Sequence, residues 1–301
     1  MAVVLGVRST SVVLVSTPPF VDLPAGVAVE RWPVRGTYRA VMHAGLAADR
    51  PWVLLVPGFT GSKEDFIAVL PLLAAAGVGA VSFDQLGQHE SDGSTEAADY
   101  ALPLLAEDVV AIADMAAGRF DLAPPHLLGH SFGGLVAQEA VASGSIRPTS
   151  LVLFCTGPGA LPVERWGELP DLVDALEHSE LAEIWRIMHD MEEAEDVVPP
   201  PADVAAFLER RWHANNPVQM REFAVQLMHA PSLTARLLPV IAGIPTTVVW
   251  GEDDDAWPIA MQRRMAAELG VTTVELAGLG HSPNAQDPQA MVDALLRAWS
   301  R

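Results

Sequence analysis

Short apolar runs alternate with longer amphipathic stretches along most of this chain. The apolar runs predict strands at Val27–Trp32, Thr37–His43, Trp52–Val56, Gly79–Asp84, His126–Leu128, Ser150–Phe154, Thr246–Trp250 and Thr272–Leu276. The amphipathic stretches predict helices at Lys63–Ala75, Leu102–Ala117, Phe132–Ala142, Ile259–Glu268 and Pro288–Trp299. An antiparallel pair followed by alternating strands and helices predicts an α/β fold, with a mostly parallel central sheet flanked by helices.

Residues 157–240 interrupt this alternation, because their pattern is helical, acidic and without a strand signal. Two amphipathic segments, 170–197 and 202–230, are separated by the break VVPPPAD. We interpret the region as an inserted helical cap, or lid, so that 1–156 and 241–301 form the core domain. Its large apolar side chains could pack inside the cap or line a substrate pocket; the candidates for substrate binding are Trp166, Trp185, Met188, Trp212 and Met228.

Composition and charge limit which functions are expected. The 301 residues are 50% hydrophobic, enough for one large α/β domain or two small ones. The formal charge of −20 would repel phosphate backbones and anionic membrane surfaces, so nucleic acid is not an expected partner. The single cysteine, Cys155, excludes an internal disulfide framework and fits a reducing compartment.

The N-terminal stretch MAVVLGVRSTSVVLVSTPPF is apolar, but it lacks the basic region and the small-residue cleavage site of a secretory signal. No uncharged run reaches the roughly 18 residues that a membrane span requires. We therefore expect a soluble, cytoplasmic protein without membrane insertion. The extension Met1–Leu23 is interpreted either as an added strand or as a loosely ordered arm, and the oligomeric state stays open.

A serine lies between glycines at the junction of a predicted strand and a predicted helix. The stretch Gly129-His130-Ser131-Phe132-Gly133 matches G-x-S-x-G in the strand–turn–helix context that this motif requires. Small residues at 129 and 133 permit the close backbone packing that holds such a turn. The hydroxyl is then expected at the carboxyl edge of the sheet, beside a helix N-terminus that favours negative charge.

A serine hydroxyl is a weak nucleophile until a base removes its proton, so a histidine and an orienting carboxylate should follow. His281 lies in a loop after the last predicted strand, within GLGHS, and is the expected base. The acid should follow the strand TTVVW, where four carboxylates stand in a row at 252–255. Residue chemistry alone does not separate these four.

These motifs, in this order, resemble the α/β-hydrolase superfamily, and in particular its serine esterases and lipases with an inserted cap. The resemblance rests on PGFTGSKEDF, FDQLGQHESDG, GHSFGG, GEDDDAWP and GLGHS and covers residues 25–301. It implies Asp254 as the acid, through the spacing G-x-x-D-x-x-x-P. It also implies backbone oxyanion donors at Phe59 and Phe132. Pro57 replaces the usual histidine of that loop, which should spare these donors but change how the loop is braced.

The resemblance implies a serine hydrolase with the catalytic residues Ser131, Asp254 and His281. The expected substrate is a small apolar carboxylic ester, or a related thioester or lactone, cleaved through an acyl-enzyme. The segment DQLG also resembles proline iminopeptidases, so an aminopeptidase or amidase is one alternative; a slow or non-catalytic ligand receptor is another. No metal or organic cofactor is expected, because the histidines lack metalloprotease spacing and the glycine runs lack the dinucleotide-binding pattern.

Overall fold

The computed structural model describes residues 15–194 and 198–300, and its centre is one sheet. The strands are β1 (Val27–Val34), β2 (Thr37–Ala44), β3 (Trp52–Val56), β4 (Gly79–Phe83), β5 (His126–His130), β6 (Ser150–Phe154), β7 (Thr246–Gly251) and β8 (Thr272–Leu276). Their order across the sheet is β1-β2-β4-β3-β5-β6-β7-β8. From β4 to β8 all neighbours pair in parallel, whereas β1–β2 and β2–β4 pair antiparallel. The predicted fold class is therefore confirmed, and most strand ends agree within two residues.

Helices cover both faces of this sheet. They are α1 (Val69–Ala75), α2 (Leu102–Phe120), α3 (Phe132–Ala142), α4 (Leu169–His178), α5 (Leu181–Ala194), α6 (Ala202–Ala214), α7 (Pro217–His229), α8 (Thr234–Leu237), α9 (Ile259–Leu269), α10 (Pro283–Gln286) and α11 (Pro288–Trp299). Short 3₁₀ turns occupy Lys63–Phe66, Ala97–Tyr100 and Val163–Arg165. None of the helices in the described ranges is long and apolar enough to cross a membrane.

Alternation along each strand divides the core into two layers. Leu54 belongs to the cluster under α2, α3 and α9, whereas its neighbour Leu55 belongs to the cluster under α1 and α11. Successive strand residues point to opposite faces, so a strand that is buried on both faces is apolar throughout. This explains why the central strands read as continuous apolar runs instead of alternating ones. It also leaves the ends of the strands as the places where polar groups can meet.

The helix predicted over Lys63–Ala75 is broken, because the structure has a 3₁₀ turn at Lys63–Phe66 and a separate α1. Pro71 explains the break: inside a continuous helix its ring would collide with the carbonyl of Ile67, four residues earlier. In the structure Pro71 instead falls in the first turn of α1, where proline is tolerated.

Between β6 and β7 the described residues form helices and no strand, as expected for 157–240. The two predicted helical segments are each divided in two: α4 ends before Ser179, and α6 ends before Asn215. Asn216 caps α7, since its side-chain oxygen accepts from the backbone N–H groups of Val218 and Gln219, and Pro217 opens the helix. Residues 15–26 contain no strand, and residues 1–14 lie outside the described part of the chain.

Candidate active site

Ser131 occupies a tight turn between β5 and α3. Its backbone has φ of 55° and ψ of −125°, a conformation that costs energy for any residue with a side chain. An added Cβ at Gly129 would lie 2.3 Å from the Gly133 carbonyl oxygen, and one at Gly133 would lie 2.4 Å from the Pro57 carbonyl oxygen. Both positions therefore require glycine, as the spacing G-x-S-x-G predicts.

Three predicted side chains meet at this turn. His281 Nε2 lies 3.0 Å from Ser131 Oγ, and His281 Nδ1 lies 2.9 Å from Asp254 Oδ1. The chain separations are 150 and 27 residues, so the fold and not local sequence creates the group. A hydroxyl, an imidazole and a carboxylate in this order can activate the hydroxyl oxygen as a nucleophile.

The structure distinguishes the four consecutive carboxylates. Asp254 is buried, and its Oδ1 also accepts from the backbone N–H groups of Ala256 (3.0 Å) and Trp257 (3.3 Å). Its Oδ2 accepts from Gln262 Nε2 at 2.7 Å. Asp253 and Asp255 are exposed neighbours that do not contact the imidazole. Asp254 is thus held in one orientation by the turn after β7.

The carboxylate and the imidazole shift each other's protonation. Burial disfavours the charged form of Asp254, but the His281 charge and several hydrogen bonds outweigh it, so the pKa of Asp254 is lowered. Burial likewise disfavours protonated His281, but Asp254 outweighs it and raises the pKa of His281 above its usual 6.5. The imidazole is therefore a stronger base than a free histidine.

His130, the residue before the serine, was not predicted to have a role. Its Nε2 lies 2.9 Å from the His281 carbonyl oxygen, and the two rings are 5.1 Å apart. Burial, together with the His281 charge, lowers the pKa of His130 to about 3, so this ring is neutral at pH 7. A neutral Nε2–H can donate to that carbonyl and tie the histidine loop to the serine turn.

Two backbone N–H groups near the serine have no acceptor within the described ranges. Within the described ranges, neither the N–H of Phe59 nor that of Phe132 has a hydrogen-bond partner. Phe132 opens α3, where the first N–H groups of a helix have no acceptor inside it. Phe59 follows Gly58, at which an added Cβ would lie 3.1 Å from Ser131 Cβ. These donors can stabilise negative charge that develops beside Ser131 Oγ.

A cavity of about 530 Å³ opens above these groups, a size typical of small-molecule sites. Its apolar wall includes Val15, Leu161, Leu169, Leu227 and Trp257. None of the five Trp and Met candidates lines this cavity.

Those five residues pack inside the helical segment instead. Trp166, Trp185, Met188, Trp212 and Met228 all belong to the apolar core or pack against it. Trp212 donates to the Leu181 carbonyl oxygen at 2.9 Å, and its ring lies 5.7 Å from that of Trp185. Their indole and thioether surfaces are used to hold the helices together, which composition alone does not distinguish from lining a pocket.

Residues before β1 form another part of the cavity wall, which the sequence did not indicate. Val15, Ser16 and Thr17 all line the cavity. Ser16 Oγ donates to Asp65 Oδ2 at 2.9 Å, its N–H donates to Thr60 Oγ1 at 3.0 Å, and Arg211 donates to its carbonyl oxygen. We call Ser16, Asp65 and Arg211 the arm latch, since they join the N-terminal arm, the core and α6.

Among the described residues, two groups of side chains offer metal-ligand atoms within 4.8 Å of one another. The first is His130, Cys155 and His281, but His281 already contacts Ser131 and Asp254 through both ring nitrogens. The second is Glu64, His89 and Glu90.

In that second group both carboxylates already bind an ammonium. Lys63 Nζ lies 2.8 Å from Glu64 and 2.7 Å from Glu90. In each group at least one member is already engaged by another side chain, His281 in the first and both carboxylates in the second, and neither group carries a metal assignment.

Most of the chain matches a known protein family. A family model described as "Alpha/beta hydrolase family" matches residues 53–294, from β3 to the last helix. The chain belongs to the alpha/beta hydrolase family. The match includes the serine turn, the acid turn and the histidine loop, and the resemblance inferred from the motifs is confirmed.

One protein with a named activity is similar to part of this alpha/beta hydrolase. A protein named as a carbamate hydrolase, RutD, of Variovorax paradoxus (strain S110) is 37% identical over 106 residues, 35% of this chain and 38% of the relative. The alignment therefore spans little more than a third of that relative's length.

Solved structures share the fold at lower sequence identity. A hydrolase from Pseudomonas aeruginosa PA01 has a TM-score of 0.72 at 22% identity, covering 92% of this chain and 100% of that one. The enol-lactonase from Burkholderia xenovorans LB400 has a TM-score of 0.70 at 19% identity, covering 90% and 100%. These likenesses support the fold and leave the substrate open.

Proposed function

We propose that this alpha/beta hydrolase is a serine hydrolase that cleaves a small apolar carboxylic ester, or a related thioester or lactone, through an acyl-enzyme. The supporting observation is the chain of contacts from Ser131 Oγ through His281 to Asp254 at the base of the cavity. A serine directed at a basic imidazole, with a carboxylate behind it, is the arrangement that acyl transfer needs.

In the first half of the proposed reaction, Ser131 Oγ forms a bond to the substrate carbonyl carbon while its proton passes to His281 Nε2. The carbonyl oxygen becomes an oxyanion, which accepts from the N–H groups of Phe59 and Phe132. The bond to the leaving group then breaks, and His281 returns the proton to the departing oxygen or sulfur. Asp254 stabilises the imidazolium and fixes Nδ1 as its protonated nitrogen.

In the second half, water replaces the leaving group. His281 takes a proton from water as the water oxygen bonds to the acyl carbon, and the same two N–H groups stabilise the second oxyanion. The bond to Ser131 Oγ breaks, and the serine recovers its proton from His281. Such backbone donors contribute about 10²–10³-fold each in comparable sites. No metal or organic cofactor takes part in these steps.

The cavity wall supports medium-sized apolar acyl groups. Leu161, Leu169 and Leu227 come from residues 157–240, which supports the proposal that this segment is a cap over the core formed by 1–156 and 241–301. The volume of about 530 Å³ accommodates a small ester but not a polymer. The cytoplasmic location stays a prediction.

An amine-bearing substrate is a second candidate, and one observation favours it. Asp253 and Asp255 line the cavity beside the proposed acid, and their carboxylates would attract a cation. Proline iminopeptidase-like or amidase activity would use the same serine. The partial similarity to a protein named as a carbamate hydrolase also supports a nitrogen-containing substrate.

The first experiment is labelling with a fluorophosphonate, followed by intact and peptide mass spectrometry. The expected result is a single adduct on Ser131, since the probe needs both a basic histidine and working oxyanion donors. Ser131→Ala should abolish the adduct. A folded protein that takes up no probe would overturn the proposal and favour the ligand-receptor alternative.

The second experiment separates the two substrate classes. Hydrolysis of p-nitrophenyl esters with acyl chains of two to about twelve carbons is compared with that of neutral and amine-bearing anilides. We expect an optimum among the medium acyl esters. Faster cleavage of the amine-bearing anilides, lost in Asp253→Asn or Asp255→Asn, would replace the ester proposal with the second candidate.

A further inference from the structure

The loop that carries the Phe59 N–H has no regular secondary structure, and two glutamine side chains hold its backbone. Gln85 Nε2 donates to the Pro57 carbonyl oxygen at 3.0 Å. Gln88 Nε2 donates to the carbonyl oxygens of Gly58, at 2.8 Å, and of Phe59, at 3.0 Å. Both glutamines are buried in the turn that follows β4.

The orientation of the Gln88 amide follows from its partners. Its Oε1 accepts from the Gln85 backbone N–H at 3.0 Å while its Nε2 faces two carbonyl oxygens. The reversed amide would place oxygen against two oxygens and NH₂ against an N–H group. Gln88 can therefore present its donors only to the loop.

One of these hydrogen bonds controls a specific N–H group. The Gly58 carbonyl and the Phe59 N–H belong to the same planar peptide and point in opposite directions. When Gln88 holds the carbonyl on its side, the N–H is directed to the other side. Phe59 lines the cavity with Ser131, and its N–H has no acceptor within the described ranges.

The loop benefits from such a constraint because residue 58 is glycine. A Cβ there would approach Ser131 Cβ to 3.1 Å, tighter than ordinary contact. Glycine is also the residue whose backbone rotates most freely, so the Gly58–Phe59 peptide could turn its N–H away at little steric cost. Two hydrogen bonds to the Gly58 carbonyl oxygen oppose that rotation, a short one from Gln88 Nε2 at 2.8 Å and a longer one from the Gly61 N–H at 3.3 Å.

We propose that Gln88 is a positioning residue that directs the Phe59 N–H at the oxyanion. The inference rests on the proposed function, because the oxyanion forms only if Ser131 attacks a carbonyl. Gln88 does not touch the substrate. Its contribution should therefore appear in the transition state and not in substrate binding.

The test compares Gln88→Met with Gln138→Met. Gln138 is a matched control, since it is equally buried and its Nε2 also donates to two backbone carbonyls, those of Gly134 and Gly157. Neither of those carbonyls shares a peptide with Phe59 N–H or Phe132 N–H. Gln88→Met loses three buried hydrogen bonds, because the Gln85 N–H also loses its acceptor Oε1, whereas Gln138→Met loses two, so Gln88→Met should lose somewhat more thermal stability.

We expect Gln88→Met to lower kcat for p-nitrophenyl butyrate about 10- to 100-fold, below the full loss of an oxyanion donor, with KM within about twofold. The inhibition constant of an alkyl trifluoromethyl ketone should rise by a similar factor. That probe bonds Ser131 Oγ to its carbonyl carbon, turns the carbonyl oxygen into an oxyanion and sends the serine proton to His281. Gln138→Met should change both values less than about threefold.

Equal losses of kcat in Gln88→Met and Gln138→Met, or an unchanged ketone inhibition constant in Gln88→Met, would overturn the inference. If Gln88→Met does not fold, Gln88→Glu keeps the length of the side chain while removing the two N–H donors, and the same criteria apply. Absence of a fluorophosphonate adduct on the wild-type protein would overturn the proposed function and this inference together. Normal wild-type labelling with a fully active Gln88→Met would overturn this inference alone.

Discussion

Two groups beside the same cavity each contain a serine, an aspartate and a basic side chain, yet only one is arranged for chemistry. In the site, Ser131 faces His281, and Asp254 lies behind the imidazole. In the arm latch, Ser16 Oγ donates directly to Asp65, and Arg211 pairs with the same carboxylate at 3.1 Å. An arginine stays protonated and has no free electron pair, so it cannot take a proton from a serine. The order of the groups, and not their composition, separates a reactive site from a structural one.

The largest expected difference lies between the two serines. Ser131→Ala should lower kcat by about 10⁶-fold, as loss of the nucleophile does in comparable enzymes. Ser16→Ala should keep kcat within about tenfold, because its hydroxyl only donates to Asp65. Steady-state hydrolysis of the best ester from the substrate panel checks both. A fluorophosphonate adduct on Ser16, or comparable losses in the two variants, would contradict the distinction.

Substitution of the proposed acid should cause the second largest loss of turnover. Asp254→Asn should lower kcat by about 10⁴-fold, because the amide no longer stabilises the imidazolium or fixes its tautomer. In the wild type, kcat/KM should fall as the pH drops through the raised pKa of His281, since protonation removes the base. Without the Asp254 charge that pKa falls, and the acid limb of the pH profile should move to lower pH.

Asp253→Asn is the matched control, being an exposed carboxylate in the same turn. It should leave the position of the acid limb unchanged. If Asp253→Asn or Asp255→Asn abolished turnover and Asp254→Asn did not, the assignment of the acid would be wrong.

The arm latch should affect stability more than turnover. Arg211→Met leaves the fully buried Asp65 without its cation, and such a change typically costs about 3–5 kcal/mol. Arg186→Met is the control, because its pair with Asp190 is exposed and should contribute less than about 1 kcal/mol. Urea unfolding measures both. Similar small losses would show that the buried pair does not hold the arm to the core.

The smallest expected effect is the pH dependence of the free energy of unfolding, which two buried histidines of β5 contribute. Burial lowers the pKa of His130 to about 3 and that of His126 to about 4, whereas the unfolded chain protonates them near 6.5. The unfolded state binds more protons below pH 6.5, so the free energy of unfolding should decrease as the pH falls from 6.5 towards 4. For His130 this loss is on the order of 2 kcal/mol between pH 6.5 and 5.

Urea unfolding at pH 7.5, 6 and 5 measures this dependence. His126→Gln should reduce the slope of the free energy of unfolding against pH, because the variant no longer has a titrating group at that position. Stability that is constant or higher at pH 5 would show that the neutral histidines are not linked to folding. It would not affect the argument for His281, whose pKa shifts in the opposite direction.

Much of the fold could be predicted because its signals are local. Trp52–Val56, Ser150–Phe154 and Phe132–Ala142 appear in the structure with the predicted bounds, since each is a continuous apolar or amphipathic run between breakers. The serine turn was predictable because its motif is local in sequence, although only Gly129 is constrained by neighbours within five residues, whereas Gly133 is constrained by the carbonyl oxygens of Val56 and Pro57. The helical segment was less predictable, because packing between helices decides whether a tryptophan lies in a core or on a cavity.

By itself, the sequence determined the order of strands and helices, the strained serine turn and the residue types available for chemistry. The tertiary structure decided which carboxylate meets His281, which glutamine holds the Gly58 carbonyl, and that Ser16 lies on the cavity. Those contacts join residues far apart in the chain, such as Gln88 and Gly58 at a separation of 30 and Arg211 and Ser16 at 195. Local patterns report the conformation of a segment, whereas these pairings depend on how strands are ordered in the sheet and where their ends converge.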